Sequence, residues 1–186
     1  MLNDLIGLLK RLIFGTQRTE PGVSPFASGQ GPARVLIMRH AEKTGDPLDP
    51  HLSLEGQRRA ERLVTYVPQT FGTPDFLIAA RTSKKSQRPY DTLAPLAHAL
   101  GLNIKEKFDD EDVDALVEHL GENQKYGGKF AVISWRHSDI PALIAALGGP
   151  RGSYPETWNS SVYNVIFEVS FRDGAPPRVR QITEPF

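Results

Sequence analysis

Short apolar runs alternate along the chain with segments in which apolar residues recur at helical spacing. A run bounded by polar residues suits a buried strand of a parallel sheet, and a recurrence every three to four residues indicates an amphipathic helix. The predicted strands are 35–38, 76–80, 103–107 and 130–134, and the predicted helices are 53–67, 84–100, 111–120 and 140–147. A last pair of strands, 162–171 and 178–182, flanks a turn at Asp173-Gly174. Strands that alternate with helices predict a three-layer α/β/α sandwich with a mostly parallel central sheet.

A segment of different character precedes these elements. Residues 2–14 predict an amphipathic helix, with Asn3, Asp4, Lys10 and Arg11 opposite its apolar face. Residues 15–31 are rich in Gly, Pro, Ser and Thr, and indicate a linker or an extended arm. We therefore divide the chain into an N-terminal helix with its linker, 1–31, and one main domain, 32–186. The apolar face consists of Leu2, Leu5, Ile6, Leu8, Leu9, Leu12 and Ile13.

This apolar face needs a cover, because burying each Leu or Ile contributes about 1.5–3 kcal/mol. The cover is the chain's own domain, a second subunit in a homodimer, or lipid. We expect protein rather than membrane, since Asp4 offsets part of the charge of Lys10 and Arg11. The interrupting charges also differ from a secretory signal, so we expect a cytoplasmic protein.

Composition narrows the range of possible functions. The 22 basic and 22 acidic residues balance, so no overall basic field points to nucleic acid as a partner. The sequence has no cysteine, which excludes disulfides, thiolate catalysis and Cys-based metal sites.

Two of the predicted strands run directly into an Arg-His pair. Arg39-His40 follows the first strand, and Arg136-His137 follows the strand at 130–134. Parallel strands of one sheet bring such ends together at the edge where open α/β sheets bind ligands. Imidazole can act as a nucleophile or proton-transfer group near neutral pH, and Arg offers planar donor forks for phosphate. No further ligand residue stands at metal-site spacing from the histidines.

Four segments together resemble the histidine phosphatase superfamily, which has the phosphoglycerate mutase-like fold. Ile37 to Glu42 is similar to its Arg-His-Gly signature, with Ala41 in place of Gly, and Leu52 to Gly56 is similar to its Leu-Ser/Thr-x-x-Gly. Arg88 to Thr92 resembles the segment of the second pocket Arg, and Ile133 to Leu143 the segment of the second pocket His. The four segments follow the family's order and span most of residues 34–149.

The resemblance implies a role for each matched residue. His40 would be the catalytic nucleophile that becomes phosphohistidine, with His137 as the second catalytic histidine. Arg39, Arg88 and His137 would bind the phosphate oxygens. The scheme implies no cofactor and no metal, and its partner would be a phosphorylated small molecule or a phosphoprotein. The expected activity is hydrolysis of a phosphate monoester or of phosphohistidine.

The sequence also departs from the family pattern. Arg136 stands where Gly is common, and it would either donate to phosphate or turn away into a salt bridge. The segment that supplies the general acid in mutases is not recognisable, which makes a mutase the weaker alternative. Candidate acids are Glu42, Asp109, Asp110, Glu111 and Asp139. A catalytically weak phospho-ligand-binding or scaffolding domain is the alternative from a different functional class.

Overall fold

A computed structural model describes residues 20–186 of the chain. Six strands form one sheet in the order β3-β2-β4-β1-β5-β6. The first four in this order are parallel, whereas β5 is antiparallel to β1 and β6 is antiparallel to β5. The predicted mostly parallel sheet is therefore confirmed. The strands are β1 (Arg34–Arg39), β2 (Phe76–Ala79), β3 (Ile104–Lys105), β4 (Phe130–Trp135), β5 (Val165–Arg172) and β6 (Ala175–Thr183).

Helices cover both faces of the sheet and complete the three layers. On one face, α1 (Leu54–Phe71) and α2 (Arg88–Leu100) pack over Leu36 and Met38 of β1. On the other, α3 (Val113–Glu122) and α4 (Ile140–Ala146) pack over Val35 and Ile37. Because side chains alternate across a strand, the apolar run of β1 supplies both cores. A short 3₁₀ helix, Gln124–Tyr126, leads into β4.

The start of α1 agrees with the sequence, because Ser53 caps the helix and its side chain accepts a hydrogen bond from the Gly56 amide. The start of α2 differs from the prediction. We predicted that this helix begins at Lys84, but it begins at Arg88 because Ser83 and Ser86 form a turn and Pro89 occupies the first helical turn. The predicted end of α3 before Gly121 is also wrong, since the helix continues to Glu122.

The described part of the N-terminal segment lies on the main domain. Gly22 donates a backbone hydrogen bond to the Gly148 carbonyl, and the Phe26 ring packs 4.9 Å from the Phe171 ring. The predicted amphipathic helix falls outside the described residues, so its cover and the domain division at residue 31 stay predictions. In the part described, no helix is long and apolar enough to cross a membrane.

Candidate active site

Two neighbouring parallel strands bring the two Arg-His pairs to one edge of the sheet. Arg39, the last residue of β1, is in register with Trp135, the last residue of β4. The His40 amide donates to the Trp135 carbonyl at 3.0 Å. Both strands end at the same level, and the charge of His137 contributes to lowering the pKa of His40.

The ring of His40 is buried and held in one orientation. Only 6% of this residue is exposed, and its Nδ1 lies 2.7 Å from the Ala41 carbonyl oxygen. A carbonyl only accepts hydrogen bonds, so Nδ1 carries the proton and the lone pair of neutral His40 lies on Nε2. The Ala41 amide donates to the Thr92 hydroxyl at 2.9 Å, which in turn donates to the Arg88 carbonyl at 2.7 Å. These bonds tie the segment of His40 to the start of α2.

Burial lowers the pKa of His40 to about 4, against the opposing effect of the hydrogen bond to Ala41. The positive charges of Arg39, Arg88 and His137 contribute to this lowering. His40 is therefore a neutral imidazole at neutral pH, which is the form that can act as a nucleophile.

Arg39 is fixed by the loop that precedes β5. Its Nη1 donates to the carbonyls of Ser160 and Val162 at 2.6 and 3.1 Å, and its guanidinium lies 3.6 Å from the centre of the Tyr163 ring. The Trp158 indole donates to the same Val162 carbonyl at 3.0 Å and holds the loop in place. The Nε of Arg39 is buried and has no hydrogen-bond partner within the described chain.

Arg88 and His137 each present a similar buried nitrogen. The Arg88 guanidinium donates to the carbonyls of Asp49 at 2.7 Å and Lys85 at 3.3 Å, while its Nε has no hydrogen-bond partner among residues 20–186. The same holds for Nδ1 of His137. Burial lowers the pKa of His137, and the charge of Arg39 contributes. Arg39, Arg88 and His137, whose charges all act on His40, thus each hold one buried nitrogen without a hydrogen-bond partner among residues 20–186. A buried polar nitrogen left in this way is costly unless another group accepts from it.

The Arg136 side chain forms salt bridges, which is one of the two orientations that the sequence analysis left open. It forms salt bridges to Asp110 at 3.1 Å and to Asp139 at 3.9 Å, so its guanidinium is paired with carboxylates. The Asp110 carbonyl also accepts from the Trp135 indole at 2.8 Å. Asp139 additionally accepts from the Ser138 hydroxyl at 2.7 Å, although it remains close enough to His137 to influence its pKa.

Glu42 is held by Arg59. Arg59 donates to both of its carboxylate oxygens, at 2.7–3.0 Å, and also donates to Glu184 at 2.5 Å. Despite burial, the hydrogen bonds from Arg59 hold the pKa of Glu42 below its usual value. Burial raises the pKa of Glu184 to about 7. Glu42 is thus an ionised partner of Arg59.

The remaining acid candidates lie away from the pocket. Asp109 pairs with Arg81 at 3.4 Å on the surface, and Glu111 is exposed. Four of the five carboxylates that the sequence offered pair with an arginine: Glu42 with Arg59, Asp109 with Arg81, and Asp110 and Asp139 with Arg136. The structure identifies two residues near the site that the sequence analysis missed. Tyr163 packs against the Arg39 guanidinium, and the charge of Lys43 contributes to lowering the pKa of His137.

Gly56 explains why the loop after β1 can pack against α1. A Cβ atom at this position would lie 2.3 Å from the Glu42 carbonyl oxygen. The Ser53 amide donates to that same carbonyl at 2.9 Å. The glycine therefore lets the first turn of α1 approach the backbone two residues beyond His40.

The fold is similar to that of solved phosphatases and a mutase, although no protein-family profile and no curated protein sequence matches the chain. The protein histidine phosphatase SixA complexed with tungstate is 18% identical, with a TM-score of 0.59 over 81% of this chain and 96% of that one. Mycobacterial glucosyl-3-phosphoglycerate phosphatase with inorganic phosphate is 15% identical, with a TM-score of 0.53 over 83% and 97%. Phosphoglycerate mutase from Bacillus anthracis is 12% identical, with a TM-score of 0.56 over 85% and 96%. These structures belong to the histidine phosphatase superfamily, and they confirm the predicted phosphoglycerate mutase-like fold.

Proposed function

We propose that this protein is a metal-independent phosphatase that forms a phosphohistidine intermediate at His40. The observation that carries the proposal is a neutral, buried imidazole on which the charges of Arg39, Arg88 and His137 act, each of these residues holding a buried nitrogen without a partner in the described chain. A phosphoryl group supplies the acceptor oxygens that these nitrogens need, and an electrophilic phosphorus for Nε2 of His40. The phosphatases among the solved structures of the same fold support this reading.

The first step transfers the phosphoryl group to the enzyme. Nε2 of His40 attacks phosphorus in line, the bond from phosphorus to the leaving group breaks, and the leaving group takes the bonding electrons. Arg39, Arg88 and His137 donate to the non-bridging oxygens, whose shared charge the site is preorganised to stabilise. The hydrogen bond from Nδ1 to the Ala41 carbonyl stabilises the positive charge that develops on the imidazole.

The second step returns the enzyme to its starting state. Water attacks the phosphorus of phosphohistidine, the bond to Nε2 breaks, and inorganic phosphate leaves while His40 regains its lone pair. The proton that water loses goes to phosphate or to solvent. No step requires a metal ion.

The positions of the carboxylates favour substrates with good leaving groups. Glu42 is bound by Arg59, and Asp110 is bound by Arg136, so an arginine already occupies each of these carboxylates. A leaving group that departs without strong proton transfer suits such a site. Phosphohistidine and aryl phosphates have such leaving groups, and alkyl phosphates do not. We therefore propose phosphohistidine in a protein, or a phosphorylated small molecule with a stable leaving group, as the substrate.

The test is hydrolysis of p-nitrophenyl phosphate by the wild type and by His40→Ala. Removing the nucleophile should lower kcat by on the order of 10⁴-fold or more, and should abolish phosphoenzyme trapped in alkaline detergent. His98→Ala, which removes an exposed imidazole from α2, is the matched control and should keep full activity. EDTA should leave the rate unchanged.

Two outcomes would contradict the proposal. A rate that EDTA abolishes and added metal restores would mean that a metal ion performs the chemistry. Wild-type protein that binds orthovanadate but neither hydrolyses the substrate nor becomes phosphorylated would instead be a phospho-ligand-binding domain.

A further inference from the structure

A second concave site lies beside the edge strand β3, between this strand, α3 and the 3₁₀ helix. Its volume is about 440 Å³, within the range of roughly 300–1,000 Å³ that is typical of small-molecule pockets. Its apolar lining consists of the half-buried rings of Phe108 and His119, backed by the buried side chains of Ile78, Leu116 and Tyr126. No residue of this groove belongs to the phosphate pocket around His40.

Three lysines from two segments form the rim of the groove. Lys105 lies in β3, Lys107 follows it, and Lys125 lies in the 3₁₀ helix. Within residues 20–186, none of the three ammonium groups forms a salt bridge. In a chain with equal numbers of acidic and basic residues, this is a local excess of positive charge.

The lysines converge on one imidazole inside the groove. Burial lowers the pKa of His119, and the charges of Lys107, Lys125 and Lys105 lower it further. Glu122 opposes this effect only in part. The imidazole is therefore surrounded mainly by cations.

The one acidic side chain in the groove lining has another contact. Glu106 accepts a hydrogen bond from the Thr82 amide at 3.3 Å, which directs its carboxylate toward the loop after β2. The three lysines are thus left facing the groove without an acidic partner in the described chain.

Aromatic rings form the wall beneath these cations. The His119 ring lies 5.4 Å from the Phe108 ring and 5.7 Å from the Tyr126 ring. Lys107 lies 5.2 Å above the Phe108 ring, and Lys125 lies 4.9 Å above the Tyr126 ring. An apolar, ring-lined floor with cations at its rim is complementary to a molecule that is apolar at one end and anionic at the other.

We propose that this groove is a second binding site, for an anion that carries an aromatic or apolar body. The body would lie on the half-buried rings of Phe108 and His119, and the anionic group would contact the rim lysines. A purely inorganic anion would leave the apolar floor uncovered, and an uncharged aromatic molecule would leave the lysines unpaired. The site is independent of the proposed phosphatase activity.

The test uses 1-anilinonaphthalene-8-sulfonate as the probe and the full-length protein. Binding is measured by calorimetry, and the groove is identified by the proton resonance of the His119 ring, assigned with His119→Gln. The probe should bind and raise the pKa of His119, because its sulfonate offsets the charge of the lysines. The uncharged N-phenyl-1-naphthylamine and sulfate should each bind at least about tenfold more weakly at this site.

The variants separate the groove from general charge effects. Lys105→Gln/Lys107→Gln/Lys125→Gln should weaken probe binding by on the order of tenfold or more. The control Arg151→Gln/Arg172→Gln/Arg178→Gln removes the same charge from exposed positions outside the groove, and should change binding less than about twofold. Lys125→Gln alone provides a milder variant if the triple one is less stable.

The proposal is overturned if the His119 resonance does not respond to the probe. It is also overturned if both triple variants weaken binding equally, since the affinity would then reflect overall charge. Binding of the neutral naphthylamine as tight as that of the sulfonate would show a merely hydrophobic surface.

Discussion

Replacing His40 by glutamine should remove a specific pH dependence from the stability of the protein. In the folded state, burial and three neighbouring positive charges lower the pKa of His40 to about 4, from 6.5 for an unperturbed histidine. Between these two values the unfolded chain binds a proton at this position and the folded protein does not. Acidification through this window therefore favours unfolding, and stability is regained as the pH rises toward 6.5.

The magnitude follows from the two pKa values. Relative to neutral pH, His40 should destabilise the fold by about 2 kcal/mol at pH 5 and by about 3 kcal/mol at pH 4. Other groups also titrate in this range. Glu184, whose pKa burial raises to about 7, has the opposite effect between its unfolded and folded pKa values. The difference between wild type and variant at each pH cancels these other groups.

The assay is urea denaturation of the wild type and His40→Gln at several pH values from 7 to 4. The wild type should lose about 3 kcal/mol relative to the variant across this range. His98→Gln is the matched control for loss of an exposed imidazole. A difference that stays constant, or that grows in favour of the wild type on acidification, would refute the buried, neutral His40 on which the proposed nucleophile depends.

Three further predictions concern the surroundings of the site. Tyr163→Ala should lower kcat/KM for p-nitrophenyl phosphate by about 3- to 30-fold, because it removes the ring from the guanidinium beneath it, whereas Tyr163→Phe should keep most of the activity. Gly56→Ala should lower the free energy of unfolding by about 1–3 kcal/mol in urea denaturation, because its methyl group would meet the Glu42 carbonyl; Gly45→Ala, in open space, should be nearly neutral. Deletion of residues 1–19 should preserve turnover but change solubility or oligomeric state in sedimentation, and liposome flotation that is lost on this deletion would favour a lipid cover instead.

The sequence predicted the parts of the site that local patterns encode. The apolar runs before Arg39 and before Arg136 identified two neighbouring strands of one sheet, and strand ends in a parallel sheet meet at one edge. Arg88 was predicted from the resemblance of residues 88–92 to a family segment. The predicted start of its helix was wrong because a short turn at Ser83 interrupts an otherwise helical pattern. Periodicity does not detect a turn that is four residues long.

Contacts between segments that are distant in sequence could not be predicted from local patterns. The stacking of Tyr163 on Arg39 joins residues from opposite ends of the main domain, and no local pattern marks it. The same is true of Arg59, which binds Glu42 and Glu184 together. The choice of Arg136 between phosphate and a salt bridge depended on where Asp110 lies, which only the folded chain determines.

The central place of β1 in the sheet has a consequence for folding. Arg34 in this strand is in register with Phe130 on one side and with Ser170 on the other, so its partners lie far away in sequence. Closing such long loops costs entropy before the pairing stabilises the chain, and this slows folding. During synthesis, the strand that carries Arg39 and leads to His40 is made early but pairs only after β4 and β5 have been made. Its apolar strand therefore spends that time without its sheet partners, and this is when the chain is most open to aggregation or chaperone binding.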